Sequence, residues 1–420
     1  MKLRIAQAYC RNYKSTHLEL PMRLSTYSPL LVAGIIFIAC TGAFAGEAAN
    51  IIADGKAYGD FRLRFESVEQ NNDLEDAEAL TLRSRLGYST GNFHGFSGLI
   101  EFEDSRVVGG MDDYNDGLGS RPEYSVIADP ETTELDQLYL RYASETLDSK
   151  LGRQVVTYDN QRYVGHVGWR QDRQTFDAFK LDGTFVDDLV ASYTYIGKRN
   201  RIFAEERDVD SKDHLLNIGY TTSLGRITGY AYLLEEDNAS ALSYDNYGIR
   251  FAGSRPSGDM TLHYVAEYAT QENSEVGSPD FEADYYNLTG GLTITGITVS
   301  LGYEVLGSDD GIYGFSTPLA TLHKFNGWAD RFLTTPDEGL VDFSITLTGK
   351  LWKGNWTVAY HDFEADESSA TVDDLGDELD ISYDMAFNEH FTAGVKYADY
   401  SAGDINVDTE KFWLWAGVKF

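Results

Sequence analysis

Two short stretches of the chain place arginines at alternate positions: Arg62 and Arg64 in "GDFRLRFE", Arg83 and Arg85 in "LTLRSRLGY". Arg141 in "LYLRY" repeats the theme. A guanidinium is a planar fork of donors that matches a carboxylate bidentately, so such groups on one face of neighbouring segments would attract and guide anions. Glu66, Glu101 and Glu103 fall on the same polar side, which opens a second use: ion pairs that brace a wall. The sequence leaves both uses open. Arg153, in "LGRQVV", has no register that the pattern settles.

A second cluster is "TYDNQRYVGHVGWRQDRQTFD", residues 157–177. Tyr158, Asn160, Arg162, Tyr163, Trp169, Arg170 and Arg173 are residue types that stack on sugar rings and hydrogen-bond to hydroxyls. A segment of that length is expected to fold into an enclosed space as a constriction. "TPLATLHKFNGWADRF" (317–332) is similar and is the least acidic of the long loops. Hydrolytic chemistry finds no support: there is no GxSxG elbow and no HExxH, and the histidines are scattered. The reading is therefore non-enzymatic, with no cofactor. Acidic runs such as "MDDYNDG" and "EADESSATVDDLGDELD" lack EF-hand spacing and read as a solvated rim, with loose Ca²⁺ binding at most.

These side chains must be positioned by strands. In residues 60–66 Phe61, Leu63 and Phe65 alternate with Arg62, Arg64 and Glu66, and the same period of two recurs along the chain. Strands are expected near 56–68, 78–90, 93–104, 134–144, 148–157, 174–183, 187–198, 212–222, 225–235, 244–253, 257–269, 282–294, 296–306, 340–350, 354–364, 377–387, 389–400 and 409–420. Short connections such as "TGN" and "KGN" alternate with long acidic ones, the longest near 105–133, 158–173 and 307–339. Aromatics gather on the apolar face at both strand ends, Phe96 and Tyr220 near short turns, Phe102 and Tyr303 near long loops. Together these features predict an all-β, antiparallel up-and-down transmembrane barrel of eighteen strands in a bacterial outer membrane. Eighteen strands enclose more space than side chains fill, so a water-filled lumen follows.

The last stretch, "KFWLWAGVKF", keeps an apolar face to Phe420. Closure against the first strand removes sheet edges that lipid would not tolerate. A terminal aromatic strand of this kind is also expected to address the barrel-assembly machinery, while the outer face meets lipid and lipopolysaccharide.

The first 45 residues read as a leader outside the fold. An apolar run, "PLLVAGIIFIAC", precedes Ala43-Phe44-Ala45, a small-x-small cleavage pattern, and the first 21 residues read as an upstream extension. Both cysteines, Cys10 and Cys40, lie in this leader, which leaves residues 46–420 as one cysteine-free barrel. The whole chain carries −33, and removing the leader's net +4 leaves about −37, which argues against nucleic-acid binding.

"GDFRLRFE", "LTLRSRLGY", "LDQLYLRY" and "LGRQVVTYDNQRYVGHVGWRQDRQTFDAFKL" resemble the alginate-export-type family of outer-membrane porins, over roughly residues 56–185. The resemblance implies a monomeric eighteen-strand barrel with an arginine-lined constriction that passes the anionic polysaccharide alginate. It also implies Arg62, Arg64, Arg83, Arg85, Arg141 and Arg153 as pore residues. Glu101 and Glu103 oppose a polyanion, so a channel for anionic saccharides stands beside a general diffusion porin with a mixed-charge lumen.

Overall fold

The computed structural model describes residues 50–237, 243–274 and 280–420; the expected leader lies outside the described residues. Eighteen antiparallel strands run in chain order: β1 Lys56–Gln70, β2 Ala77–Ser89, β3 Phe96–Asp113, β4 Thr132–Ala143, β5 Leu147–Gln154, β6 Thr175–Val186, β7 Leu189–Asn200, β8 Val209–Thr222, β9 Gly225–Leu234, β10 Tyr244–Ser257, β11 Met260–Asn273, β12 Glu282–Ile294, β13 Ile297–Leu306, β14 Leu340–Leu351, β15 Gly354–Glu364, β16 Asp374–Ala386, β17 Phe391–Ser401 and β18 Thr409–Lys419. Each strand pairs with its sequence neighbours, and β1 pairs with β18 from Asp60 opposite Lys419 to Gln70 opposite Thr409. The barrel is closed, so every strand has both edges satisfied.

Alternation sorts the side chains. Leu63, Leu86, Phe102, Leu151, Leu288 and Tyr303 are exposed on the outer face, while Arg64, Arg83, Glu103 and Trp413 between them are buried on the inner one. Phe96, Tyr220 and Phe391 mark one end of the outer surface and Phe102, Tyr268 and Phe343 the other, as two interfacial girdles require. Phe420 follows β18; its backbone exchanges two 3.0 Å hydrogen bonds with Gly59, and its ring stacks on Phe61 at 6.1 Å.

Several boundaries depart from expectation, β10 running on to Ser257 and β11 to Asn273. The largest departure is at β3, which continues to Asp113 rather than ending near 104, and pairs with Glu78 and Ala79 through a bulge. Gly109 and Gly110 adopt φ of 69° and 73° there. Two glycines among acidic residues look like a loop locally, yet positive φ is what a bulge needs. The loop following β3 therefore covers 114–131.

The hydrophobic core lies inside the barrel. Val156, Tyr163, Val164, Phe315, Leu319 and Ala329 come from the loops after β5 and β13, and they pack on inward Phe176, Leu215, Tyr230 and Tyr285 from the wall. Both loops are folded into the lumen.

Candidate functional site

Folding a loop into the lumen strips its backbone of water, so its carbonyls need donors from the wall. Arg62 supplies them on β1. Its Nη2 donates to the carbonyls of Trp169 (2.7 Å) and Arg170 (2.6 Å), its Nη1 to Gly168 (3.2 Å) and its Nε to Gln171 Oε1 (3.0 Å). Arg64 donates to the Trp169 carbonyl at 2.5 Å and pairs with Asp129 and with Glu66 (3.1 Å). Arg83 pairs with Asp60 at 2.5 Å, and Arg85 with Glu103.

Loop arginines answer wall carboxylates in the same way. Arg170 pairs with Glu66 (3.0 Å), and Arg173 with Glu101 and with Asp136 (2.6 Å). Arg162 pairs with Glu304 on β13 at 3.0 Å. Tyr163 packs among the rings of Tyr230, Tyr232, Tyr285 and Phe315 at 5.0–6.1 Å. Tyr158 bonds Thr194 at 2.7 Å, and the Asn160 carbonyl accepts from Lys324 at 2.8 Å. Burial, with Glu103 and Glu134 nearby, pushes the Asp172 carboxyl well above its usual range.

The second loop docks against the first. His323 lies flat on Trp169, with ring centroids 4.8 Å apart and planes at 6°. Trp169 also meets Trp413 and Trp415 edge-on. Asp330 accepts from Arg170 (2.8 Å), Lys411 (3.0 Å) and His323 Nδ1 (2.6 Å), joining both loops to β18. His323 Nε2 faces the Lys396 ammonium at 3.0 Å. Burial pushes the His323 imidazole down to about 3, so it is neutral, donating from Nδ1 and accepting at Nε2. The backbone N–H groups of Trp328 and Ala329 donate to Asp380 and Glu378 on β16. The result is a plug bonded to β1–β3, β13 and β16–β18, and packed through Val156, Tyr163 and Phe315 on Phe176, Leu215, Tyr230 and Tyr285.

This placement corrects the expected role of the paired arginines. Arg64, Arg83 and Arg85 are at most 6 % exposed, and their charges are spent on Glu66, Asp129, Asp60 and Glu103. Arg62, Arg64 and, through Glu103, Arg85 brace the plug, while Arg83 ties β2 to β1. Glu101 and Glu103 hold Arg173 and Arg85. Arg153 is corrected too. It lies two residues beyond outward Leu151, opposite outward-facing Leu138, and pairs with Asp177 at 2.7 Å on that outer side. Arg141 does face inward, paired with Asp148 at 2.5 Å.

Open space remains along β6–β10. A cavity of about 540 Å³ is lined by Tyr158, Asp159, Asn160, Lys180, Asn217, Arg226 and Arg250. Arg226 lies across Gly219, where a Cβ would fall 1.9 Å from its Nη2, so glycine clears its path. Arg250 pairs with Glu267 at 3.1 Å, Lys180 with Asp182, and Asp159 accepts from Asn217 (2.8 Å) and Thr228 (3.2 Å). Arg226 has no acidic partner among the described residues. None of these cations sits in the alternate spacing that marks Arg62, Arg64, Arg83 and Arg85. Lys180 and Arg226 are recoverable by parity, since each follows or precedes an outward apolar residue, Phe179 and Ile227. Among the described residues no group of three or more His, Cys, Asp or Glu is arranged to hold a metal ion.

A family model described as alginate export matches residues 57–304. The chain belongs to the alginate export family. No curated protein sequence matches it. Similar solved structures are OccK9 (OpdG) of Pseudomonas aeruginosa (TM-score 0.71, 12 % identity), the outer membrane protein OpdK of the same organism (0.69, 12 %) and OccAB4 of Acinetobacter baumannii (0.68, 14 %). Each match covers 88 % of this chain and 99 % of the other. At that identity the likeness concerns the fold. This member of the alginate export family is an outer-membrane channel, built as a closed eighteen-strand barrel in the bacterial outer membrane.

Proposed function

We propose that the channel passes anionic saccharides, alginate or its oligomers, by passive diffusion along the β5–β10 side of the lumen. The observation that carries this reading is the cavity beside the plug, where Lys180, Arg226 and Arg250 stand among Tyr158, Asn160 and Asn217. Cations in a lumen walled by low dielectric attract carboxylates, and amide and hydroxyl groups replace the hydration of sugar hydroxyls. Asp159 and Glu267 near the same space favour a second reading, a general porin with a mixed lumen.

Reversal potential in a planar bilayer under a KCl gradient separates the two. The native channel should prefer anions, and the Lys180→Gln/Arg226→Gln/Arg250→Gln variant should lose that preference or invert it. Cation preference in the native channel would leave only the general porin. The same reading includes lipopolysaccharide and lipid as partners of the outer face, and the assembly machinery as the partner of Phe420. Phe420→Ala should lower the yield of folded barrel in the outer membrane, measured by heat-modifiable gel mobility, without changing the conductance of the channels that do assemble.

A further inference from the structure

Three inward cations stand side by side on adjacent strands. Arg141 is opposite Lys150 across β4–β5, and Lys150 is opposite Lys180 across β5–β6. Like charges directly opposite each other destabilise a sheet. One row closer to the short turns the sign reverses, with Asp148 opposite Asp182. Arg141 takes Asp148 and Lys180 takes Asp182, which leaves three cations against two acids. Lys150 is the odd one: no carboxylate lies within ion-pair distance among the described residues, and its ammonium sits 4.9 Å from the centre of the Tyr139 ring. The next inward position on its strand is Gly152, at φ +123°, where a Cβ would collide with the Leu138 carbonyl. The wall beside Lys150 is therefore bare.

We infer that Lys150 is a docking point for a carboxylate of the passing solute, with the Tyr139 ring beside it offering an apolar face to the sugar. This rests on the anionic path proposed above and adds a named station to it. An unpaired ammonium between two compensated cations is the one charge in the row that an arriving carboxylate meets without first displacing an acid. Both neighbouring acids are taken by other cations, so a solute carboxylate would complete the row.

The test is block of single-channel current by tri-galacturonate, a uronic acid oligomer. Lys150→Gln should weaken the block at least about tenfold, the loss of one charge-assisted hydrogen bond. Arg141→Gln/Asp148→Asn, which keeps the net charge, should leave block unchanged. Folding of each variant is checked by heat-modifiable mobility. Equal weakening by Lys150→Gln and Lys180→Gln would mean a diffuse field and would overturn the station. Unchanged block in Lys150→Gln, with the native channel still preferring anions, would overturn the station and leave the anionic path standing. A native channel that prefers cations would overturn both.

Discussion

Asp330→Ala should loosen the plug and give a larger, noisier single-channel conductance. The Asp330 side chain is 4 % exposed and serves Arg170, Lys411 and His323 together. Its removal leaves Lys411, 6 % exposed, inside the barrel without a counter-charge, and leaves Arg170 with Glu66 alone at close range. Breaking a buried pair from one side costs roughly 3–5 kcal/mol, because the surviving charge keeps its desolvation penalty. Arg170–Asp330 is also the ion pair that joins the two loops among the described residues. Asp330→Asn keeps an acceptor for His323 but not the charge, and should fall between alanine and the native channel. The effect of pH has a definite sign. Burial alone would raise the Asp330 pKa, but His323, Lys411 and Arg170 reverse that and hold it well below the usual carboxylate range. Its stabilisation is thus present above the ordinary carboxylate pKa of about 4 and is lost as pH falls through the depressed native value. The lowered His323 acts in the same direction: its contribution is complete above about 6.5 and fades as pH falls towards about 3. Current noise should therefore rise on the acid side. A quiet Asp330→Ala channel of native conductance would show that the remaining hydrogen bonds between the loops hold the plug unaided.

Much of this architecture was legible because a barrel wall is a local pattern repeated. Residues two apart share a face whatever the distant chain does, so Phe61, Leu63 and Phe65 declare the outer surface without knowledge of β18. Most connections were legible for the same reason; the largest exception is where β3 runs on through Gly109 and Gly110. The functional interior was harder. Parity correctly turns Arg62, Arg64, Arg83 and Arg85 inward, but whether an inward arginine meets water or a loop depends on residues a hundred positions away. Gly168, Trp169 and Arg170 present carbonyls to Arg62, and nothing near Arg62 in sequence signals that. The cations that the proposed path assigns to a solute, Lys150 and Arg226, are the sole inward cations of their strands and lack the repeated spacing that draws notice to the pairs.

That distinction predicts opposite outcomes for two kinds of arginine. Arg64→Ala should destabilise the barrel while leaving ion selectivity near native. Arg64 is 1 % exposed and stands between Glu66 and Asp129, each also 1 % exposed, with the Trp169 ring 5.2 Å from its guanidinium carbon. Its loss leaves Asp129 with the Gln171 backbone N–H (2.8 Å) and a distant Arg170 (3.9 Å), and it frees the Trp169 carbonyl from one of two donors. A cost of roughly 3–5 kcal/mol follows for the uncompensated acid, read as earlier thermal unfolding by near-ultraviolet circular dichroism. The Lys180→Gln/Arg226→Gln/Arg250→Gln variant should show the reverse: selectivity changes strongly, and the stability cost is confined to Glu267, which loses Arg250 but keeps the Tyr230 hydroxyl. If Arg64→Ala instead shifts the reversal potential as far as the triple variant does, anions travel beside β1 and the path along β5–β10 is wrong. The comparison is informative because both substitutions remove positive charge from the same lumen. Only the position of the plug decides which removal a permeating ion feels.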